Sequence, residues 1–108
     1  MNFKVISTKF FARQLKRLAK KYPSLRDDLL PLGKKLKEDP MIGEPLGKDC
    51  YKIRVAITSK GKGKSGGARV ISFVRIVQNT VYLLSIYDKG EADSITDEQI
   101  NDLLKTIE

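Results

Sequence analysis

The chain has no histidine and a single cysteine, Cys50. Without imidazole, any catalysis that rests on it is excluded, and with one cysteine so are zinc sites of the usual composition. One cysteine also rules out an internal disulfide and fits a reducing compartment. No apolar run approaches the length of a membrane span, and the N-terminus lacks a signal-peptide pattern. A cytoplasmic protein with no membrane partner is expected. No internal repeat is visible. One further absence is local: from Cys50 to Tyr87 there is no Asp or Glu, while Lys52, Arg54, Lys60, Lys62, Lys64, Arg69 and Arg75 all fall there.

What remains is a basic globular chain. Its 108 residues support one domain, 1–108, with one modest core. Hydrophobic residues make up 41% and charged residues 31%, which fits a folded, soluble protein. The net charge of +8 asks for an anionic partner. Nucleic acid is the commonest, with acidic proteins and membrane surfaces as the other classes. Because the acid-free stretch reads as sheet, its positive charge is placed rather than scattered, and phosphate suits it.

Phe3–Ser7 alternates apolar and polar residues and predicts a first strand. Thr8 caps a helix carrying Phe11, Leu15, Leu18 and Tyr22 at helical spacing, stopped by Pro23. Ser24 and Asp27 suggest a capping box for a second helix with the stripe Leu25, Leu29, Leu32 and Leu36. Pro31 predicts a kink or break in it. Met41–Lys48 reads as a loop and Tyr51–Ile57 as a second strand. Thr58–Gly67 reads as a loop too polar and flexible to pack. Ala68–Val77 and Thr80–Tyr87 are apolar on both faces and so central strands, joined by a tight turn at Gln78-Asn79. Thr96 and Gln99 form a capping box for a last helix with the stripe Ile100, Leu103, Leu104 and Ile107. The order β-α-α-β-β-β-α gives an α+β fold. In it, a mostly antiparallel sheet packs against an N-terminal helical pair and is followed by a C-terminal helix.

Four groups of residues could carry chemistry. Gly63-Lys64-Ser65 is not a phosphate-binding P-loop, because Thr58 stands where glycine is required and a strand, not a helix, follows. Lys60, Lys62 and Lys64 are then either solvated loop cations or contacts to a polyanion. Lys52 and Arg54, two apart in a strand, share a face and either guard a sheet edge or meet a ligand. Arg69 and Arg75 also share a face, but roughly 20 Å of strand separates them. The second and third strands, if paired as a hairpin, set Arg69 near Ile57. Tyr87-Asp88-Lys89 ends the last strand, where Tyr87 is either a core edge or a functional group and Lys89 either a loop cation or one. A site made of Lys, Arg and Tyr suits RNA cleavage by its own 2′-hydroxyl. A cation stabilises the phosphorane, and a lysine among cations acts as base. DNA lacks that hydroxyl.

Asp49-Cys50-Tyr51-Lys52-Ile53-Arg54 resembles the corresponding segment of RelE-type toxins, and Gly67-Ala68-Arg69-Val70-Ile71 resembles the family's arginine-bearing strand. The hairpin loop with Lys64-Ser65-Gly66-Gly67 and the Tyr87-Asp88-Lys89 ending are similar to a HigB-like branch of the RelE/ParE superfamily. The resemblance implies a type II toxin that cleaves mRNA on the ribosome without metal or other cofactor. It also implies neutralisation by a cognate antitoxin with a helix-turn-helix part. It implies Lys52 as general base, Arg54 as phosphate ligand, Arg69 as the stabiliser of transition-state charge and Lys89 in the place of an arginine acid. The family's C-terminal stacking tyrosine has no counterpart in Ala92–Thr96, which leaves Tyr87 for that role. Lys60, Lys62, Lys64 and Arg75 are expected to contact RNA or ribosome. The alternatives are a gyrase poison of the ParE kind and a basic RNA-binding module without turnover.

Overall fold

The computed structural model describes residues 2–61, 63–92 and 94–107. Strand β1 (Lys4–Ser7) leads into α1 (Lys9–Lys21) and α2 (Leu25–Glu38). Strands β2 (Glu44–Gly47), β3 (Cys50–Val55), β4 (Ala68–Arg75) and β5 (Thr80–Asp88) follow, and α3 (Asp97–Leu104) ends the chain's regular structure. The five strands form one sheet in the order β1-β5-β4-β3-β2, antiparallel except where β1 runs parallel to β5. This is the α+β architecture expected, with one strand more. No helix among the described residues is long and apolar enough to cross a membrane.

Alternation along the strands divides the core into two layers. On one face Ile53, Val55, Val70, Val74, Val81 and Ile86 pack against Phe11 and Leu18 of α1 and Leu25 and Leu36 of α2. Each such buried side chain contributes about 2 kcal/mol. On the other face Cys50, Ile71 and Leu84 pack against Ile100 and Leu103 of α3. The Thr8 hydroxyl accepts from Phe11 N at 3.1 Å to open α1. The Thr96–Gln99 box closes reciprocally at the start of α3, at 2.8 and 3.1 Å.

α1 also covers an edge. β1 pairs with β5 no further than Leu83, and beyond it Gln14 reaches across: its side-chain oxygen accepts from Ile86 N at 3.0 Å and from the Ser85 hydroxyl at 2.9 Å.

Several local expectations change. Pro31 does not break α2, which runs through it. It is exposed, and the leucines on either side hold both halves to the core. Ser24 precedes α2 without capping it. Its hydroxyl turns instead to Asp28 and Ser59. The segment Met41–Lys48 contains β2, joined to β3 by Lys48-Asp49, both at positive φ (56° and 61°). Lys48 also reaches Asn101 of α3. β4 stops at Arg75, and a 3₁₀ turn over Ile76–Gln78, closed by Asn79 at φ 48°, replaces the tight two-residue turn. Arg69 pairs with Arg54, not near Ile57, because residues 56–67 all go into the connection.

Both ends of that connection are packed rather than loose, at Thr58–Lys60 and at Gly67. Two 3₁₀ turns, Thr58–Lys60 and Lys64–Gly66, shape it. Asp28 accepts from Thr58 N (2.9 Å) and the Thr58 hydroxyl (2.6 Å), and Ser59 N donates to the Ser24 hydroxyl (2.8 Å). Gly67 sits so close to β3 that a Cβ there would lie 2.1 Å from the Val55 carbonyl oxygen. Only glycine fits this crossing.

Candidate active site

Register brings together residues far apart in sequence. Arg54 on β3 stands opposite Arg69 on β4, and Arg69 opposite Tyr87 on β5, so the three form one rung across the sheet. Lys52 lies one rung along on the same face, opposite Ile71, which in turn faces Ser85. This is the face that α3 covers around Cys50 and Ile71. Two arginines directly opposite, with Cβ atoms about 5 Å apart, repel one another, and a sheet places such a pair at a cost in stability.

The cations of the rung are held differently. Arg54 is exposed. Arg69 is only 2% exposed, and its guanidinium donates to the backbone oxygens of Lys64 (2.9 Å), Ser65 (3.1 Å) and Ala68 (3.2 Å). Its Nε finds no hydrogen-bond partner among the described residues. A buried unpaired donor is costly, and an anionic oxygen would satisfy it. Lys52 is half-buried, with Glu44 of β2 at 3.7 Å. Lys52, Arg54 and Lys64 line one side of an open groove of about 720 Å³, with Asp28 and Lys35 of α2 across it. Tyr87 lines a second cavity, about 400 Å³, between α1, β5 and α3, with Phe10, Gln14, Ile95 and Leu103.

At the end of the rung, Asp88 points to the helical face. It is 3% exposed and accepts from Lys60 Nζ (2.6 Å), Tyr22 Oη (2.5 Å) and Gly90 N (3.0 Å). Burial pushes its carboxyl up, but the bonds from Lys60, Tyr22 and Gly90 and the Lys60 charge outweigh it and bring it to about 2. Burial likewise pushes the Cys50 thiol to about 11, which leaves it unreactive inside the α3 layer. Lys60 also lies over the Tyr22 ring at 5.5 Å. The lysine expected to brush a polyanion from a loose loop is thus turned inward, where the ion pair with Asp88 fastens the connection to β5.

Lys64 is exposed on the second 3₁₀ turn, and Lys62 lies outside the described residues. Arg75, at the opposite end of β4, covers the Phe73 ring at 5.3 Å and is not brought to the rung. Lys89 is half-buried, and its backbone N–H donates to Gly67 O at 3.1 Å, which sets it beside the start of β4. Sequence reasoning missed Asp88, Glu44 and Tyr22 as partners of these cations. Asp88 did carry a signal, as the first acid after Asp49.

Residues 3–107 match the family model described as the RelE toxin of the RelE/RelB toxin–antitoxin system. Among solved structures the chain is similar to a mutant Escherichia coli RelE toxin in the free state. The TM-score is 0.64 at 22% identity, over 100% of both chains. It is also similar to the intact Escherichia coli RelBE toxin–antitoxin complex, with TM-score 0.61 and 19% identity over 80% of this chain and 95% of that one. A RelBE complex from Mycobacterium tuberculosis matches with TM-score 0.56 and 17% identity over 82% and 99%. Identities of this size carry the fold alone.

Proposed function

The chain belongs to the RelE family of toxins, and from that footing we propose that it is the toxin of a type II pair that cuts mRNA on the ribosome, using its own cations rather than a metal. The observation that carries this reading is the rung Arg54–Arg69–Tyr87 with Lys52 beside it. Opposed cations in a sheet lower stability, and a phosphodiester between them repays that cost.

In the proposed reaction Lys52 takes the proton of the 2′-hydroxyl as the O2′–P bond forms. Arg54 and Arg69 hold the charge that develops on the phosphorane oxygens. The P–O5′ bond then breaks, O5′ takes a proton from Lys89, and a 2′,3′-cyclic phosphate remains. As an acid, Lys89 offers a point charge where a bidentate arginine fork would clamp. Tyr87 offers a ring to the neighbouring base. Arg69 engages the phosphate with its unpaired Nε and, once the Lys64–Gly66 turn lets go, with the rest of its guanidinium. Lys64 and Arg75 are left as outer contacts to RNA, and Lys62 keeps that assignment from sequence alone.

The partner in this reading is an antitoxin with a helix-turn-helix part, whose acidic amphipathic segment would meet the basic face and α3. The place of action is the cytoplasm. The test is Arg69→Ala in a ribosome-containing cleavage assay. Cut transcripts are expected to vanish while antitoxin binding persists, and undiminished cutting overturns the role of Arg69. Induction of the parent chain in cells addresses the class: translation arrest with cut transcripts supports the nuclease, and DNA damage with intact transcripts replaces it with a gyrase poison.

A further inference from the structure

α1 and α2 lie next to one another and obey opposite charge habits. α2 follows its dipole, with Asp27 and Asp28 in the first turn and Lys35 and Lys37 in the last. α1 carries Lys9, Arg13, Lys16, Arg17, Lys20 and Lys21, with no acid, and all six are exposed. Lys20 and Lys21 suit the dipole; Lys9, in the first turn, opposes it. Like charges also fall four apart at Lys9/Arg13, Arg13/Arg17, Lys16/Lys20 and Arg17/Lys21, each pair weakening the helix. Arg17 meets Glu91 at 3.3 Å, whereas Lys16 and Lys20 have no acidic partner among the described residues. Folding alone gives no reason for this accumulation.

We propose that the exposed face of α1 is an RNA-docking surface, which takes the phosphate backbone of double-helical RNA away from the rung where a strand is cut. Ala12 is the one uncharged exposed residue on this face: Phe11, Leu15 and Leu18 face the core, and the half-buried Phe10 packs on the α3 layer, with Arg13 over its ring at 5.9 Å. A protein interface needs an apolar or aromatic centre, and a helix lying on a membrane needs a free apolar side; the exposed residues of α1, six cations and Ala12, supply neither. Phosphates need only the charge. From Lys9 to Lys21 the row spans about 18 Å, enough to follow several of them. Its position is apt as well: the Arg17–Glu91 contact and the Tyr22–Asp88 bond set the second half of α1 beside Lys89. RNA held along α1 would therefore approach the end of the rung. The inference rests on the proposed function only in placing a cleavable strand there.

The test is binding, not cleavage. The full chain and the variant Arg13→Gln/Lys16→Gln/Lys20→Gln are titrated with a short RNA duplex across a range of salt concentrations. At about 0.1 M salt the variant is expected to bind at least tenfold more weakly, and its slope of log K against log salt to become shallower by about two to three. Its melting temperature should not fall, because repulsive pairs have been removed. Duplex binding is read without any cleavage step, which separates this surface from any failure of the nuclease reading. Unchanged affinity and slope overturn the proposal. So does an equal loss in Lys34→Gln/Lys37→Gln on α2, or loss of binding to polyglutamate with duplex binding kept.

Discussion

The two cationic regions of this molecule differ in how their charges are held. At the sheet, Arg69 is clamped by three backbone oxygens, Lys60 is fastened to Asp88, and Lys52 has Glu44 beside it. On α1 all six charges are exposed, and what contacts they make are at the surface, such as Arg17 with Glu91 at 3.3 Å and Arg13 over the Phe10 ring at 5.9 Å. Held cations have fixed positions, and fixed positions are what chemistry on one phosphodiester demands. Exposed cations on a helix give up geometry and keep long-range field, which suits capture of a polyanion. The same net charge thus divides between placement and attraction.

The contrast can be broken experimentally, beginning where the effect is largest. Arg69→Ala should lower ribosome-dependent cleavage by roughly two to three orders of magnitude. Arg69→Lys should lower it as well, because one ammonium cannot reach three carbonyls and a phosphate together. Next comes the clasp. Asp88→Asn leaves the half-buried Lys60 without its counter-ion and should cost about 2–4 kcal/mol in urea unfolding. If it costs no more than an exposed substitution on α1, the distinction between held and unheld charges fails.

The clasp also has a pH signature. The Asp88 carboxyl is lowered to about 2 in the folded protein, so its contribution is fully present above the unfolded value of 3.8 and lost as pH falls through 2. Roughly 2 kcal/mol should disappear over that window. Asp88→Asn should show a correspondingly flatter acid limb. The cap at α3 is smaller, and Thr96→Ala should cost about 1 kcal/mol by thermal melting. The smallest effect belongs to the unheld set: Lys16→Gln should change stability by no more than a few tenths of a kcal/mol, upward if at all.

Legibility in the sequence followed the range of the interactions. The helices and central strands were readable because their signals are local: the Thr8 cap, the Thr96–Gln99 box and the Phe11/Leu18 and Leu25/Leu36 stripes. β2 was not, since Glu44-Pro45-Leu46-Gly47 lacks strand composition and Lys48 is a poor residue for the first of two left-handed positions. The order of residues 58–60 was invisible for another reason. Its partners Ser24, Asp28 and Asp88 lie about 30 residues away, and nothing nearby announces them. Within the candidate site, strand parity gave the shared face of Lys52 and Arg54. The rung Arg54–Arg69–Tyr87 needed the register, and register depends on how many residues the connection consumes. Burial of Arg69 could not be read at all, because only the folded turn supplies three carbonyls in one place.

Gln14 has a consequence for colloidal behaviour. β5 is left without a strand neighbour past Leu83, and a bare edge there would invite a second copy to add on and begin a fibril. A single amide from α1 occupies the Ile86 N–H that such a copy would seize. The sheet's outermost strands are blunted in their own ways, β1 by being four residues long with Lys4, β2 by equal shortness and Pro45. A chain with this much β-structure can therefore remain dispersed while it waits for whatever it binds, and one glutamine on a helix guards the longest gap.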